Sequence, residues 1–243
     1  MKRFLTALSC LLPSKIAILC LKILGHKVNW NSYIGFSFVL VDRLILAQKT
    51  RIGHLNFIKV DKITLKEKAF IGNLNIIRGP IVLDFNKNAA VGNSNIISRA
   101  NIGVTYGEGI LKLGELTKIT ARHSIDLTRN ITIGDFSTIA GAASQIWTHG
   151  YIHDNEGPGR IRVDGEVLIK NNVYIGSNCI VNAGIEIHSG ITVGSNSTIS
   201  KSLIEPGMYV GQKLRYIDKD IDDVKQSLNK IDAPNLVEDV YQK

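Results

Sequence analysis

The sequence predicts a mainly β chain folded as a parallel β-solenoid, and three observations carry the prediction. Val163, Ile169, Ile175, Val181, Ile187, Val193 and Ile199 fall six positions apart. A second row, offset by four, reads Val167, Val173, Cys179, Ile185, Ile191, Ser197 and Leu203, nearly all small or β-branched. Turn chemistry recurs in phase with both rows: Ile34-Gly35, Ile52-Gly53, Ile71-Gly72, Val91-Gly92, Ile133-Gly134, Ile175-Gly176 and Val193-Gly194. A strict six-residue rule comes neither from an α-helix, with period 3.6, nor from a lone strand, with period 2. It comes from short strands stacked in coils and joined by tight corners.

Taken in order, residues 1–30 form a first segment, apolar and basic. Lys2 and Arg3 precede Phe4 to Leu12 in the manner of a signal peptide, and Ala7-Leu8-Ser9-Cys10 has the look of a lipoprotein box, but the apolar run is too short for either. Pro13, Lys15 and Lys22 interrupt any run of the roughly 20 apolar residues a spanning helix needs. Two short helices are expected, with Ser14 as N-cap of the second and Gly25 as its stop. One role for them is to cover the open end of the solenoid. The other is peripheral contact of residues 1–28 with a membrane, lysines at the headgroups. The two roles are compatible.

Residues 31–204 form the solenoid. Its six-step spacing begins at Ile34, Leu40, Leu46, Ile52 and Ile58 and resumes at Ile71, Ile77 and Leu83. It slips by two at Asn88-Ala89-Ala90 and recovers at Val91 and Ile97. Sharp corners favour residues that tolerate positive φ, so the glycines above and Asn73, Asn93, Asn171, Asn172, Asn178 and Asn196 read as corner residues. Two stretches break the rule. Residues 103–118 hold four glycines, but no GKS or GKT follows, so this is a turn rather than a phosphate loop. A longer break runs from Thr148 to Arg162, with Val163 expected to restore the coil. Loops that leave a rigid scaffold are where sites are built. In residues 205–243, Ile217, Ile221, Val224, Leu228 and Ile231 share one helical face, which predicts a C-terminal helix.

Composition limits the partners. At 243 residues without a Pro/Ser/Gly-rich linker, one large domain is expected. A formal charge of +8 favours an anionic partner. The basic residues are scattered and aromatics make up only 7 %, which argues against nucleic acid. Three cysteines form no CxxC pair, so Cys179 reads as a structural thiol and the cytoplasm as the compartment.

The run from Ile169 to Ser197, with Ile175-Gly176-Ser177 and Val193-Gly194-Ser195 at its corners, resembles the closing coils of hexapeptide-repeat acyltransferases, specifically their sugar O-acetyltransferase branch. The resemblance covers roughly residues 31–204. It implies a left-handed parallel β-helix, an exception to the usual right-handed crossover. It further implies an acetyl-CoA-dependent O-acetyltransferase acting on a saccharide hydroxyl in surface polysaccharide or lipopolysaccharide biosynthesis. A homotrimer and no resident metal are part of the same expectation. The acceptor stays open between a lipid-linked saccharide, a nucleotide sugar and a free sugar. The cell location implied is the cytoplasm, with the inner face of the cell membrane as the surface residues 1–28 would touch.

The resemblance also assigns residues. His149, in Trp147-Thr148-His149, matches the general base on the acceptor hydroxyl, a task suited to a neutral imidazole. The backbone N–H of Ser177 would face the oxyanion. Gly176, Gly194 and Ser195 would lie along the pantetheine arm. The usual ending of the family is present only as Gly211-Gln212-Lys213-Leu214-Arg215, leaving Lys213 and Arg215 as the cations for the CoA phosphates. Trp147, His153, Asp154 and Arg160 are candidates for the acceptor loop, His153 as a substitute base and Asp154 as a carboxylate partner for His149. Two other readings compete. A γ-type carbonic anhydrase-like site would use His123, His149 and His153 on zinc, and a non-catalytic scaffold would leave His149 buried and tied down.

Overall fold

In a computed structural model the described residues are 1–102, 104–153 and 155–211, together with 215–217, 226, 229–231 and 240–242. Each coil gives one short strand to each of three faces. The first face is a ten-stranded sheet that starts at Tyr33–Ile34 and is parallel as far as Gly207–Val210. Its last strand, Arg215–Ile217, turns back antiparallel. The other two faces share a fourteen-stranded sheet, because the nine-residue strands Phe38–Leu46 and Phe57–Leu65 run round the corner between them.

The six-residue rule becomes three stacked files of side chains. On the first face Ile34, Ile52, Ile71, Val91, Ile119, Ile139, Ile175 and Val193 lie in successive register, each at most 1 % exposed. Val39, Ile58, Ile77, Ile97, Ile125, Ile146, Val181 and Ile199 do the same on the second. Each such side chain contributes about 1.5–3 kcal/mol by leaving water, and together they form one continuous core. Cys179 belongs to it, fully buried, and burial raises its thiol pKa.

The corners are built differently from the expectation. The residues in the left-handed region are mostly not glycine: Leu55, Leu74, Ser94, Arg122 and Ala143, then Asn178 and Asn196. The corner glycines are required by close stacking instead, since a Cβ on Gly53 would lie 2.3 Å from Asn73 Oδ1 and 2.4 Å from Gly72 O. Asn73 and Asn93 act through their side chains, whose Oδ1 atoms accept the backbone N–H of His54 and Asn73 in the preceding coil. Gly134 follows the strand Ile131–Ile133, in the sheet shared by the other two faces, and so stands at a different corner from the other six glycines.

Just inside the first corner runs a buried amide ladder. Asn56, Asn75 and Asn95 stack with His123, each accepting or donating to the next coil. His123 Nδ1 accepts the Ser144 N–H, so this imidazole is neutral, and burial lowers its pKa to about 4. It is a structural residue.

Other expectations need correction. Leu40 is half-buried, and its neighbours Val39 and Val41 point inward in its place. The first break is confined to the loop through residues 100–109, because the strand Ile110–Leu113 is already back in the coil with Leu111 and Leu113 buried. Val163 does not restore the repeat. It lies 47 % exposed on a hairpin, and the coil resumes at Val167. The C-terminal helix expected over 217–231 falls mostly outside the described residues; Gln226 within it is helical, while Ile217 and Asn229–Ile231 at its ends lie in strands.

At the opposite end, α1 (Lys2–Ser9) and α2 (Ser14–Ile23) pack on the first coil. Ala7, Cys10, Ala17, Ile18 and Leu21 form the buried side. Pro13, not Ser14, is the N-cap of α2; Ser14 Oγ accepts the backbone N–H of Ile34, an edge donor of the first coil. Gly25, at φ +81°, ends the helix as expected. His26 ties the helices down, with Nδ1 accepting from Leu44 N–H and Nε2 bonded to Thr6 Oγ1.

Candidate active site

The second break is an antiparallel hairpin, His149–His153 paired with Arg160–Asp164. It leaves the prism after the second-face strand Gln145–Ile146 and rejoins it at the third-face strand Val167–Ile169. His149 is therefore held by the scaffold at the base of the hairpin, while His153 is exposed further out.

Around His149 the coil below supplies what the hairpin lacks. Asp126, at the end of the strand Ser124–Asp126, places Oδ2 2.8 Å from His149 Nδ1. Thr148 donates to the same oxygen from Oγ1 at 2.7 Å and from its backbone N–H at 3.2 Å. Thr128 Oγ1 donates to Asp126 Oδ1 at 3.0 Å and lies 3.1 Å from His149 Nδ1. Burial of Asp126 works to raise its pKa, but the bonds from Thr148 and His149 outweigh it and hold the carboxyl below its ordinary value. An ionised carboxylate only accepts, so Nδ1 carries the imidazole proton and Nε2 the lone pair. The rings of Trp147 and Tyr151 stand nearly perpendicular to the imidazole, with centroids 6.3 and 5.9 Å away.

His149 lines a cleft of about 1060 Å³. The cleft follows one corner of the prism from Arg3 on α1, past Lys59 and Arg78, to Asp126, His149 and Tyr151. Lys59, Arg78, Ser98 and Asp126 are successive outward residues of one register column. Ala100, Asn101, Ile102, Val104 and Thr105, from the loop of the first break, form a wall. Arg99, only 6 % exposed, fixes that loop by donating to the carbonyls of Pro80, Tyr106 and Gly107. Arg162, from the hairpin, donates to Val104 O and pairs with Asp164. The two departures from the repeat thus meet over one cleft.

The sequence-derived candidates divide accordingly. His149 and Trp147 line the cleft. Arg160 does not; its guanidinium lies over the ring of Tyr151, 4.9 Å from the centroid. Asp154 and Lys213 lie outside the described residues, and Arg215 is placed only by its strand. Among the described residues, Asp126 is the carboxylate that faces His149. Ser177 and Ser195 sit at the first corner, after Tyr174–Ile175 and Ile191–Val193, and the Ser177 N–H donates to Ser195 Oγ at 3.1 Å. Gly176 packs on Ser195 and Gly194 on Val210. None of these four lines the cleft of His149 on the same chain. His123 is committed to the amide ladder, and among the described residues no three His, Cys, Asp or Glu side chains are grouped to hold a metal ion.

Asp126, Thr128, Thr148 and Tyr151 were not singled out from sequence. Their place follows from the register of the coils: Ile125 and Ile146 are partners, so Asp126-Leu127-Thr128 stacks beneath Trp147-Thr148-His149.

No family model and no curated protein matches the chain. Among solved structures, the polysialic acid O-acetyltransferase OatWY is 19 % identical, with 80 % of this chain and 84 % of that one aligned at a TM-score of 0.53. The polySia-specific acetyltransferase NeuO is 19 % identical over 80 % of each chain, at a TM-score of 0.48. A hexapeptide-repeat acetyltransferase from Vibrio cholerae O1 biovar eltor, VCA0836, complexed with acetyl-CoA, is 23 % identical over 57 % of this chain and 72 % of that one, at 0.46. The first of these likenesses establishes a shared β-helix fold; the chemistry is left to the site itself.

Proposed function

We propose that the chain is an acetyl-CoA-dependent O-acetyltransferase acting on a saccharide hydroxyl. The observation that carries the reading is the Asp126–His149 pair at the head of a cleft built by two excursions from an otherwise regular coil. His149 Nε2 takes the proton of the acceptor hydroxyl as its oxygen attacks the thioester carbonyl. A C–O bond forms, the C–S bond breaks, and the imidazolium returns its proton to the departing CoA thiolate. Asp126 holds the imidazole in the reactive tautomer and stabilises its protonated form. The resemblance of fold to a polysialic acid O-acetyltransferase agrees with a glycan acceptor.

The donor side of the site requires a second copy. His149 and Ser177 stand at different corners of the prism, so the Ser177 N–H serves an oxyanion only when a neighbouring protomer brings it to His149 and Ser195 Oγ, its present acceptor, turns away. Gly176, Gly194 and Ser195 of that protomer would lie along the pantetheine arm, and Lys213 and Arg215 near the phosphates. We assign the active form as a homotrimer in the cytoplasm. Size exclusion with light scattering checks the first point, and a monomer would overturn it. Mass spectrometry after incubation with acetyl-CoA and a panel of saccharides checks the reaction: one acetyl group gained per acceptor is expected. His149→Ala should lower transfer by about 10²-fold or more with an unchanged circular dichroism spectrum. Full turnover in that variant would move the base elsewhere.

A further inference from the structure

The helices that close the first coil bury one side and leave the other bare. Phe4, Leu8, Leu11, Ile16, Leu19 and Ile23 are each 44–76 % exposed. On α1, Phe4 and Leu8 lie four residues apart, and Leu11 follows in the turn that leads to α2. On α2, Ile16, Leu19 and Ile23 repeat the spacing, so each helix carries one apolar stripe directed away from the coil. Six large apolar side chains over two adjoining helices and the turn between them exceed the scattered apolar exposure usual on a soluble surface.

The charge around the stripes identifies what covers them. Lys2, Lys15, Lys22 and Lys27 are all exposed, Lys15 and Lys22 each with one bond to a backbone carbonyl, of Trp30 and Val28, and no acidic residue precedes Asp42. Arg3, the remaining cation of this segment, is turned inward to Asp42 and Asp61. A second copy docked through the same face would set these lysines against their equivalents, and like charges oppose such an interface. An anionic lipid surface answers both features, with hydrocarbon for the stripes and headgroups for the ammonium groups. No helix among the described residues is long and apolar enough to cross a membrane, so the contact lies in the plane of the interface.

We propose that α1 and α2 dock the protein onto an anionic bilayer, with the solenoid axis rising from the surface. The cleft then has a direction. Its lower end is Arg3 on α1, and five strand pairings along the second face separate the first coil from Gln145–Ile146, beside His149. At roughly 4.8 Å per pairing, the imidazole stands about 24 Å above the first coil. Resting on the acetyl-transfer reading, this reach selects an acceptor that extends several sugar units from a lipid anchor over one whose hydroxyl lies at the headgroups.

Co-sedimentation of the full chain with vesicles tests the docking without reference to catalysis. Binding is expected to vesicles of phosphatidylcholine mixed with phosphatidylglycerol, and to be weaker with phosphatidylcholine alone or at raised salt. The double variant Leu8→Asp/Leu19→Asp alters two exposed positions and should reduce bound protein about tenfold or more, with its circular dichroism unchanged. Equal binding by the variant, or no binding by the parent chain, overturns the proposal. A fall in oligomer size caused by the same variant also overturns it, because the stripes would then be a subunit interface. Acetyl transfer to a soluble glycan that survives in the variant separates failure of docking from failure of the catalytic reading.

Discussion

Replacing Asp126 with asparagine tests how the imidazole is used. The side chain keeps its shape, and an amide oxygen in the place of Oδ2 still accepts from His149 Nδ1 and Thr148, now at 2.8 and 2.7 Å. Two things change. The developing imidazolium loses its counter-charge, and the new amide donates to Thr128 Oγ1, which frees that hydroxyl proton to turn toward His149 Nδ1, 3.1 Å away. The second change favours the tautomer with its proton on Nε2, which cannot act as a base. A hydrogen bond to a charged group is worth about 1.5–3 kcal/mol, and each 1.36 kcal/mol is tenfold in rate. Asp126→Asn should therefore lower kcat by roughly 10–10²-fold, while KM for acetyl-CoA and acceptor changes little. The assay is steady-state release of CoA thiol with the acceptor found by mass spectrometry. An unchanged kcat, or a loss carried wholly by KM, would show that Asp126 positions substrate or merely supports the coil, and would remove the tautomer argument.

Two further outcomes concern the scaffold. Asn75→Ala empties a fully buried site whose Nδ2 donates to Gly92 O and whose Oδ1 accepts from Asn95, so it should cost about 3 kcal/mol in a denaturant titration; a cost below about 1 kcal/mol would mean water takes over these bonds. Acid should loosen the fold before the carboxylates titrate. His26 and His123 stay neutral down to about pH 4 in the folded chain, His26 through burial and the nearby Lys2 charge, His123 through burial. The unfolded chain binds those protons from pH 6.5 downward, so each histidine's contribution, up to about 3 kcal/mol, is whole above that pH and declines as pH falls toward 4. His123→Gln should flatten its share of the slope, and an equally steep profile in that variant would assign the acid sensitivity to other groups.

The coil was legible in the sequence because every turn of it is local: a side chain and its stacking partner obey one spacing rule, and Ile175, Val193 and their counterparts repeat without outside help. The places where the rule failed were also visible, and His149 was found because it stands in one. Its partner was not. Asp126 lies 23 residues earlier in an unbroken strand, where nothing marks it as different from other outward residues. Coil length also varies, since the ladder step from Asn95 to His123 spans 28 residues, so register could not be counted across the first break. Leu40 and Val163 depart from the six-residue phase for a related reason. The six-residue phase cannot see a strand that bends round a corner, as Phe38–Leu46 does, or a hairpin that carries an aliphatic residue away from the core.

Both excursions leave the prism beside one edge, and each is fastened there by contacts outside the interior files: Arg99 for the 100–109 loop, Asp126 and Thr148 for the root of the hairpin. The architecture consequently separates what must stay constant from what is free to change. Lengthening, shortening or recolouring either flap would reshape the mouth that admits a glycan while leaving every stacked isoleucine undisturbed, so descendants of this chain could acquire new acceptors with little risk to the stem that bears them.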